Sequence, residues 1–322
     1  MANPANPLGG TANAARNRYV QSVAAILVTV TAFGTAGYPG QQTPAAVAVG
    51  PSGYTEEQLR GLRERVIANQ HKDDQAGTEY EHVEHHILRG TNGDKVIEDK
   101  VFRVVPTGTG TLKLVVRDGG VDVSADFYQK ELLDWKQQLE VASNPDDWRT
   151  RSSQAKTTKR LQDRAEMVDS ARDALVITWL RREWYDGEEC HVFQMEPNPN
   201  YQPHTTAQDI LSHVRATAWV DAKSEQLVRV DAEVVRDISF GGGVLAKIYR
   251  GGHFSLEQMQ VAPGLWVPRR YQLDYMGRKF LFSFENHVVT ELSGYRRLGT
   301  TKEALAKVRA EVSKGEKFAG DP

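Results

Sequence analysis

One cysteine, Cys190, in 322 residues leaves no partner for an intramolecular disulfide, so the fold must rest on its core and its backbone pairing. Cys190 falls in a predicted strand, where a small buried apolar role suits it better than that of a reactive thiol. Net charge is also scarce: 40 Lys and Arg against 42 Asp and Glu give a formal charge of -2. Acids and bases are interspersed, without the basic footprint that phosphate backbones require, so nucleic acid is not an expected partner. Catalytic signatures are missing as well. No Gly-x-Ser-x-Gly, His-Glu-x-x-His or Cys-x-x-Cys occurs, and the carboxylates show no local arrangement that marks an acid/base pair. No enzyme activity and no cofactor follow from these residues.

Acidic residues are absent before Glu56, and Arg16 and Arg18 are the fixed charges of that stretch. They precede an apolar run from Tyr19 to about Gly37, and small residues follow at Ala45-Ala46-Val47-Ala48. Positive charge, apolar run and small residues in that order predict a secretory signal over 1–37, with a retained membrane anchor as the alternative. A Pro/Gly/Gln/Ala-rich linker spans 38–53. The remainder is then expected outside the cytoplasm, in a periplasm, free or tethered to the inner membrane.

From Tyr54 onward the pattern is that of α+β. Thr55 followed by Glu56, Glu57 and Gln58 predicts a capped helix carrying Leu59, Leu62, Val66 and Ile67 at helical spacing. Strands are predicted over 78–89, 95–106 and 111–117, the first two joined by Gly90-Thr91-Asn92-Gly93-Asp94, a good hairpin signal. Composition turns helical over 124–172, where Asn144-Pro145-Asp146 divides a helix ending at Ala142 from a charged one over 153–172. A long meander follows, with strands at 174–185, 189–196, 214–221, 226–236, 244–258, 265–275 and 279–292. About ten strands in all predict one large antiparallel sheet that curls, splits or closes as its twist accumulates. The segment 299–322 has a weak helical pattern and reads as a partly disordered tail.

His82, His85 and His86 with Glu81 and Glu84 form the densest group of potential metal ligands. In a strand His82, Glu84 and His86 share a face, but no second ligand group is identifiable, so no metal site is assigned and the reading is a polar sheet face. Phe240-Gly241-Gly242-Gly243 lacks the Lys-Ser or Lys-Thr of a phosphate loop and is expected to bend the chain, as is Gly251-Gly252. The strand aromatics are the remaining candidates. Trp179, Phe193, Trp219, Phe254, Trp266, Tyr271 and Phe282 are the expected lining of an apolar cavity.

Three stretches carry a family resemblance. They are the strand Cys190-His191-Val192-Phe193-Gln194-Met195-Glu196 entering Pro197-Asn198-Pro199-Asn200-Tyr201-Gln202-Pro203, then Ala218-Trp219-Val220-Asp221 with Leu227-Val228-Arg229-Val230, and Gly264-Leu265-Trp266-Val267-Pro268. Together with the order of elements, they resemble the LolA/LolB-like superfamily of periplasmic lipoprotein carriers, including the outer-membrane lipoprotein-sorting proteins. The resemblance covers 54–298. It implies an unclosed, curved antiparallel sheet whose hollow is covered by helices and holds acyl chains, with a helical insertion at 124–172. The expected function is therefore an exported, non-enzymatic carrier of a lipid or lipoprotein acyl chain that works with envelope membrane proteins. A scaffold without ligand and a metal-dependent hydrolase using the histidine group stay open as alternatives.

Overall fold

The computed structural model describes residues 54–108, 110–240, 243 and 245–315, so the predicted signal, anchor and linker lie outside the described residues. In chain order the elements are α1 (Glu56–Gly77), β1 (Tyr80–Arg89), β2 (Val96–Pro106), β3 (Thr111–Asp118), β4 (Val121–Asp122), α2 (Ala125–Ala142) and α3 (Trp148–Ala174). Then come β5 (Leu175–Tyr185), β6 (Glu188–Pro197), α4 (Thr206–Leu211), β7 (Val214–Asp221), β8 (Leu227–Val234), β9 (Ile238–Phe240) and β10 (Ala246–Ile248). The last are β11 (His253–Ala262), β12 (Leu265–Lys279), β13 (Phe282–Arg297) and α5 (Thr301–Lys314). Among the described residues no helix is long and apolar enough to cross a membrane.

The described strands form one antiparallel sheet in the order β4-β3-β2-β1-β13-β12-β11-β8-β7-β6-β5, with β10 and β9 attached beside β12. It is unclosed, since β4 and β5 are its two ends. Register shifts in the pairings β1–β13, β1–β2, β2–β3, β5–β6, β7–β8 and β11–β12 are the bulges that bend and twist so wide a sheet.

Local chemistry sets most boundaries. Thr55 and Gln58 make the reciprocal capping box of α1. Asp186, at φ 54°, and Gly187, at φ 87°, supply the positive angles of a two-residue hairpin between Tyr185 and Glu188. Other expectations are corrected. The charged helix begins at Trp148 instead of Ser153, because the Asp147 carboxylate caps the Arg149 backbone amide. The strand expected over 244–258 is two strands, β10 and β11, parted by a turn in which Gly251 has φ 88°. The short helix α4 and the short strands β4 and β9 span too few residues to show a periodicity.

Two cores form on opposite faces. Cross-strand partners share a face, so Leu88, Val288, Leu273, Phe254, Ala232 and Ala216 lie together. This apolar surface is covered by Leu62 and Val66 of α1, Ala171 and Ala174 of α3, and Ile210 and Leu211 of α4. Towards the β4 end the opposite face carries Arg103, Val105 and Leu114, packed under Tyr128, Leu132, Trp135 and Leu139 of α2 and Ala304, Leu305 and Val308 of α5. The C-terminal helix, read from sequence as a tail, thus belongs to a core: its Thr300–Glu303 capping box starts a helix whose Ala304 and Val308 are fully buried.

Arg103 ties this second core together. Its guanidinium is 1% exposed and donates to Glu81, Glu311 and the Tyr128 hydroxyl, with the Trp135 ring 5.8 Å away. Burial opposes its charge, but the hydrogen bonds to Glu311 and the two carboxylates more than offset this and hold it above its ordinary value. Glu81 also accepts from Arg296 and Lys307, so strand β1, strand β13 and helix α5 meet at one carboxylate. Arg103→Met should cost about 3–5 kcal/mol in urea unfolding, since it strands buried carboxylates. A loss below about 1 kcal/mol would show that the network is not what holds α5 to the sheet.

Candidate functional site

Helix α1 lies across the apolar face, and its underside is unusual. Its buried residues are Leu62, Arg63, Val66, Ile67, Gln70 and Asp73, so the stripe that starts apolar turns polar over its C-terminal half. Gln70 accepts a hydrogen bond of 3.0 Å from the Gln258 amide on β11. Asp73 is 3% exposed, and the Trp266 backbone amide and the Gln226 side chain are its polar neighbours. Burial pushes its carboxyl up to about 6, only partly opposed by the Trp266 backbone amide, Lys72 and Gln226.

The helix is otherwise held by polar ties at its margins. Arg65 pairs with Glu225 at 2.5 Å, the Asn69 amide donates to the Ser224 and Glu225 carbonyls at 3.3 and 3.1 Å, and Lys72 donates to the Gly264 carbonyl at 3.3 Å. Most of these are exposed to solvent and individually contribute little. A few aliphatic side chains and a polar seam therefore hold a helical cover over a broad apolar sheet face.

A cavity of about 10 Å³ lies between Val214, Ala232, Ile238, Ile248, Phe254 and Leu273, room for one water and not for a chain of methylenes. The opposite face at the same strands differs: a polar groove of about 520 Å³ is lined by Gln194, Arg215, Thr217, Arg229, Asp231, Ser255, Gln272 and Asp274. Its charges are mutually paired, Arg229 with Asp231 at 2.8 Å, Arg215 with Glu196 at 2.8 Å and His287 with Asp274 at 2.8 Å.

The seven aromatics expected to line one cavity are divided. Trp179, Phe193, Phe254 and Tyr271 belong to the α1-face core. Trp219 and Trp266 lie instead on the opposite face with Cys190, Val192 and Val228. There the Arg229 guanidinium stacks on Trp219 and Tyr185 at 5.2 and 5.3 Å, and the Trp219 indole donates to Glu183. Phe282 is 79% exposed at the start of β13 and lines nothing. Cys190 is fully buried, and burial followed by its acidic neighbours pushes the thiol up to about 12, which leaves it unreactive at neutral pH.

The histidine group is divided too. His82 stacks on Tyr295 with ring centroids 5.0 Å apart, and burial pushes it down to about 4, so it is a neutral ring. His86 meets the Thr290 hydroxyl at 3.0 Å, while His85 points to the other face and contacts Asp99 at 2.8 Å. Among the described residues no group of three or more His, Cys, Asp or Glu side chains converges as a metal site would.

Arg63, Gln70 and Asp73 were missed from sequence. Their signal was present in the spacing, since 59, 62, 66, 70 and 73 continue one helical stripe whose later members are polar.

No protein-family model matches the chain, and no curated protein is similar to it in sequence. Solved structures are similar to it. An outer membrane lipoprotein-sorting protein domain from Vibrio parahaemolyticus superposes with a TM-score of 0.31 at 10% identity, over 72% of this chain and 91% of that one. A LolA superfamily protein from Nitrosomonas europaea gives a TM-score of 0.27 at 9% identity, over 71% and 92%. A DUF1329 family protein from Desulfovibrio piger gives 0.27 at 12%, over 73% and 92%. These superpositions are loose, and the architecture rests on the strand pairing described above.

Asp73 gives the cover a pH signature. Its folded value of about 6 lies above the ordinary 3.8, so between those limits the folded state keeps a proton the unfolded chain has lost. Its contribution favours folding below about pH 4 and is lost as pH rises through 6. The full cost above pH 6 is at most about 3 kcal/mol. Asp73→Asn should therefore raise the melting temperature at pH 7.5, with a gain that vanishes on titration to pH 4. A gain independent of pH would place the effect elsewhere.

Proposed function

We propose that this protein is an exported carrier that shelters an apolar chain, of a lipid or a lipoprotein, on the α1 face of its sheet. The observation that supports this reading is the mismatch between cover and surface: a broad apolar sheet face lies under a helix whose buried side includes Arg63, Gln70 and Asp73. A permanent core helix would present apolar side chains there. A helix with a polar seam gives up little when it lifts, and an acyl chain entering beneath it would gain about 0.8 kcal/mol for each CH₂ buried. The closed packing is then the ligand-free state, and loading means displacement of α1. Export and an envelope partner follow from the N-terminal pattern of Arg16, Arg18 and the apolar run.

The small volume of the cavity between Val214, Phe254 and Leu273 favours one other reading, a scaffold with no ligand. Native mass spectrometry with lipid extraction separates the two: a discrete co-purifying lipid supports carriage, whereas a ligand-free mass that also takes up no fluorescent fatty acid supports the scaffold. The route is tested by Asn69→Cys/Ser224→Cys, placed where α1 meets the β7–β8 turn. The oxidised protein should fail to take up fatty acid, and reduction should restore uptake. Equal uptake in both states would rule out α1 as the lid. Replacement of Trp219 and Trp266 by Ala should leave uptake intact, because both lie on the other face.

A further inference from the structure

The β12–β13 hairpin outruns its neighbours. Strand β11 stops pairing with β12 at His253 opposite Asp274, and β1 stops pairing with β13 at Arg89 opposite His287. The hairpin continues for five more residues per strand, from Tyr275 opposite Asn286 to Lys279 opposite Phe282, an arm of about 17 Å at ~3.3 Å per residue. Among the described strands only short β10 flanks it, seated against Gly277, where any Cβ would collide with the Lys247 carbonyl.

The tip of this arm contradicts ordinary turn chemistry. Lys279 pairs with Phe282, so Phe280 and Leu281 form a two-residue loop, and Phe280 takes φ 54°. That left-handed position favours Gly or Asn and is uncommon for a bulky aromatic. Elsewhere the chain meets the same demand with Asn92-Gly93 and Asp186-Gly187. The side chains are not tucked away: Phe280 is 53% exposed, Leu281 92% and Phe282 79%. Leu245, whose carbonyl accepts from the Phe280 amide, adds a fourth apolar side chain at 53%.

Charge at the tip is positive: the segment 277–283 contains Arg278 and Lys279 and no acidic residue, while Glu285 lies farther back on β13. Arg278 donates to the Gly243 carbonyl and Lys247 pairs with Asp237 at 2.8 Å, so cations are fixed along the arm behind the apolar tip.

We propose that the β12–β13 hairpin docks on an anionic lipid bilayer, with Phe280, Leu281 and Phe282 entering the interface and Arg278 and Lys279 meeting the headgroups. Apolar residues at the extremity and cations one step behind match the layering of a bilayer surface, acyl boundary first and phosphate above it. A narrow arm bearing its largest side chains at the very end suits a deformable partner, whereas a protein partner would need a preformed pocket. The proposal does not rest on the carrier reading.

The test uses the full chain and sedimentation with vesicles of phosphatidylcholine, with and without phosphatidylglycerol. Wild type should bind the anionic vesicles, and salt should weaken that binding. Phe280→Asn/Leu281→Gly/Phe282→Thr installs a turn that hairpins favour, so it keeps the fold, and it should bind at least about tenfold more weakly. Arg278→Gln/Lys279→Gln should cost about fivefold per cation on anionic vesicles alone. A local readout comes from Phe282→Cys carrying an environment-sensitive dye, which labels selectively because Cys190 is fully buried. Its emission should shift to the blue on anionic vesicles. Wild-type protein that ignores anionic vesicles, a tip variant that binds as wild type does, or bound protein whose dye does not shift would each overturn the proposal. Fatty-acid uptake by the tip variant is read separately, so failure of the docking arm and failure of the carrier reading remain distinguishable.

Discussion

Everything in this sheet depends on the antiparallel pairing of β1 with β13. Glu81 and Arg296, joined by hydrogen bond across it, are 215 residues apart in sequence, and the ladder continues to Arg89 opposite His287. Without it the first four strands and the meander would be separate sheets, each with an open edge where the other now lies. With it, the Glu81 carboxylate is brought to Arg296 and Lys307, and the C-terminal helix has a surface to bind. Contacts this distant are entropically costly to close, and they form late because loop closure precedes their reward. The cations around Glu81 are thus both a consequence of that closure and a lock upon it.

The same pairing separates two environments by strand alternation alone. One face is largely apolar and lies partly under α1; the other carries paired charges over its central strands, an aromatic cluster around Trp219 and, towards β4, the second core. A one-residue slip in any central strand would exchange these faces, which is why the register is strongly determined there. Helix α1 inherits its ambiguity from this arrangement. It must cover an apolar surface, yet it presents Gln70 and Asp73 to it, so its docking is a compromise between apolar burial and the desolvation of polar groups.

Much of this architecture was readable in the residues. Alternation located Val214–Asp221 to the residue, and turn chemistry at Asp186-Gly187 and capping at Thr55 marked true boundaries. The pairing partners were not readable, because period-two patterns say which residues share a face and not which strand lies beside which. The aromatics illustrate the limit. Phe193 and Trp219 both sit on strands with good alternation, but which face is covered by a helix is decided by tertiary packing, so they part company. Phe282 was misread for another reason: an apolar residue in a strand pattern normally marks a core, and nothing local says that the strand outruns its neighbours. The tail helix reads weakly because its apolar contribution is only Ala304, Leu305, Val308 and a half-buried Val312, enough once α2 supplies the other side.

An unclosed sheet also leaves a free margin. Strand β5 runs for eleven residues at the end of the sheet with its outer amides and carbonyls facing no other described strand, and Val176, Leu180 and Trp184 on it are exposed. Such a margin is a template on which a second chain could extend the ladder. Arg181 and Arg182 sit at its centre, directly after the bulge between Trp179 and Arg181. Arg181 lies beside Glu183 and Arg182 beside Glu189, so the middle of this margin is charged as well as bent. Charge and irregularity of that kind are what set an open edge against indiscriminate strand addition.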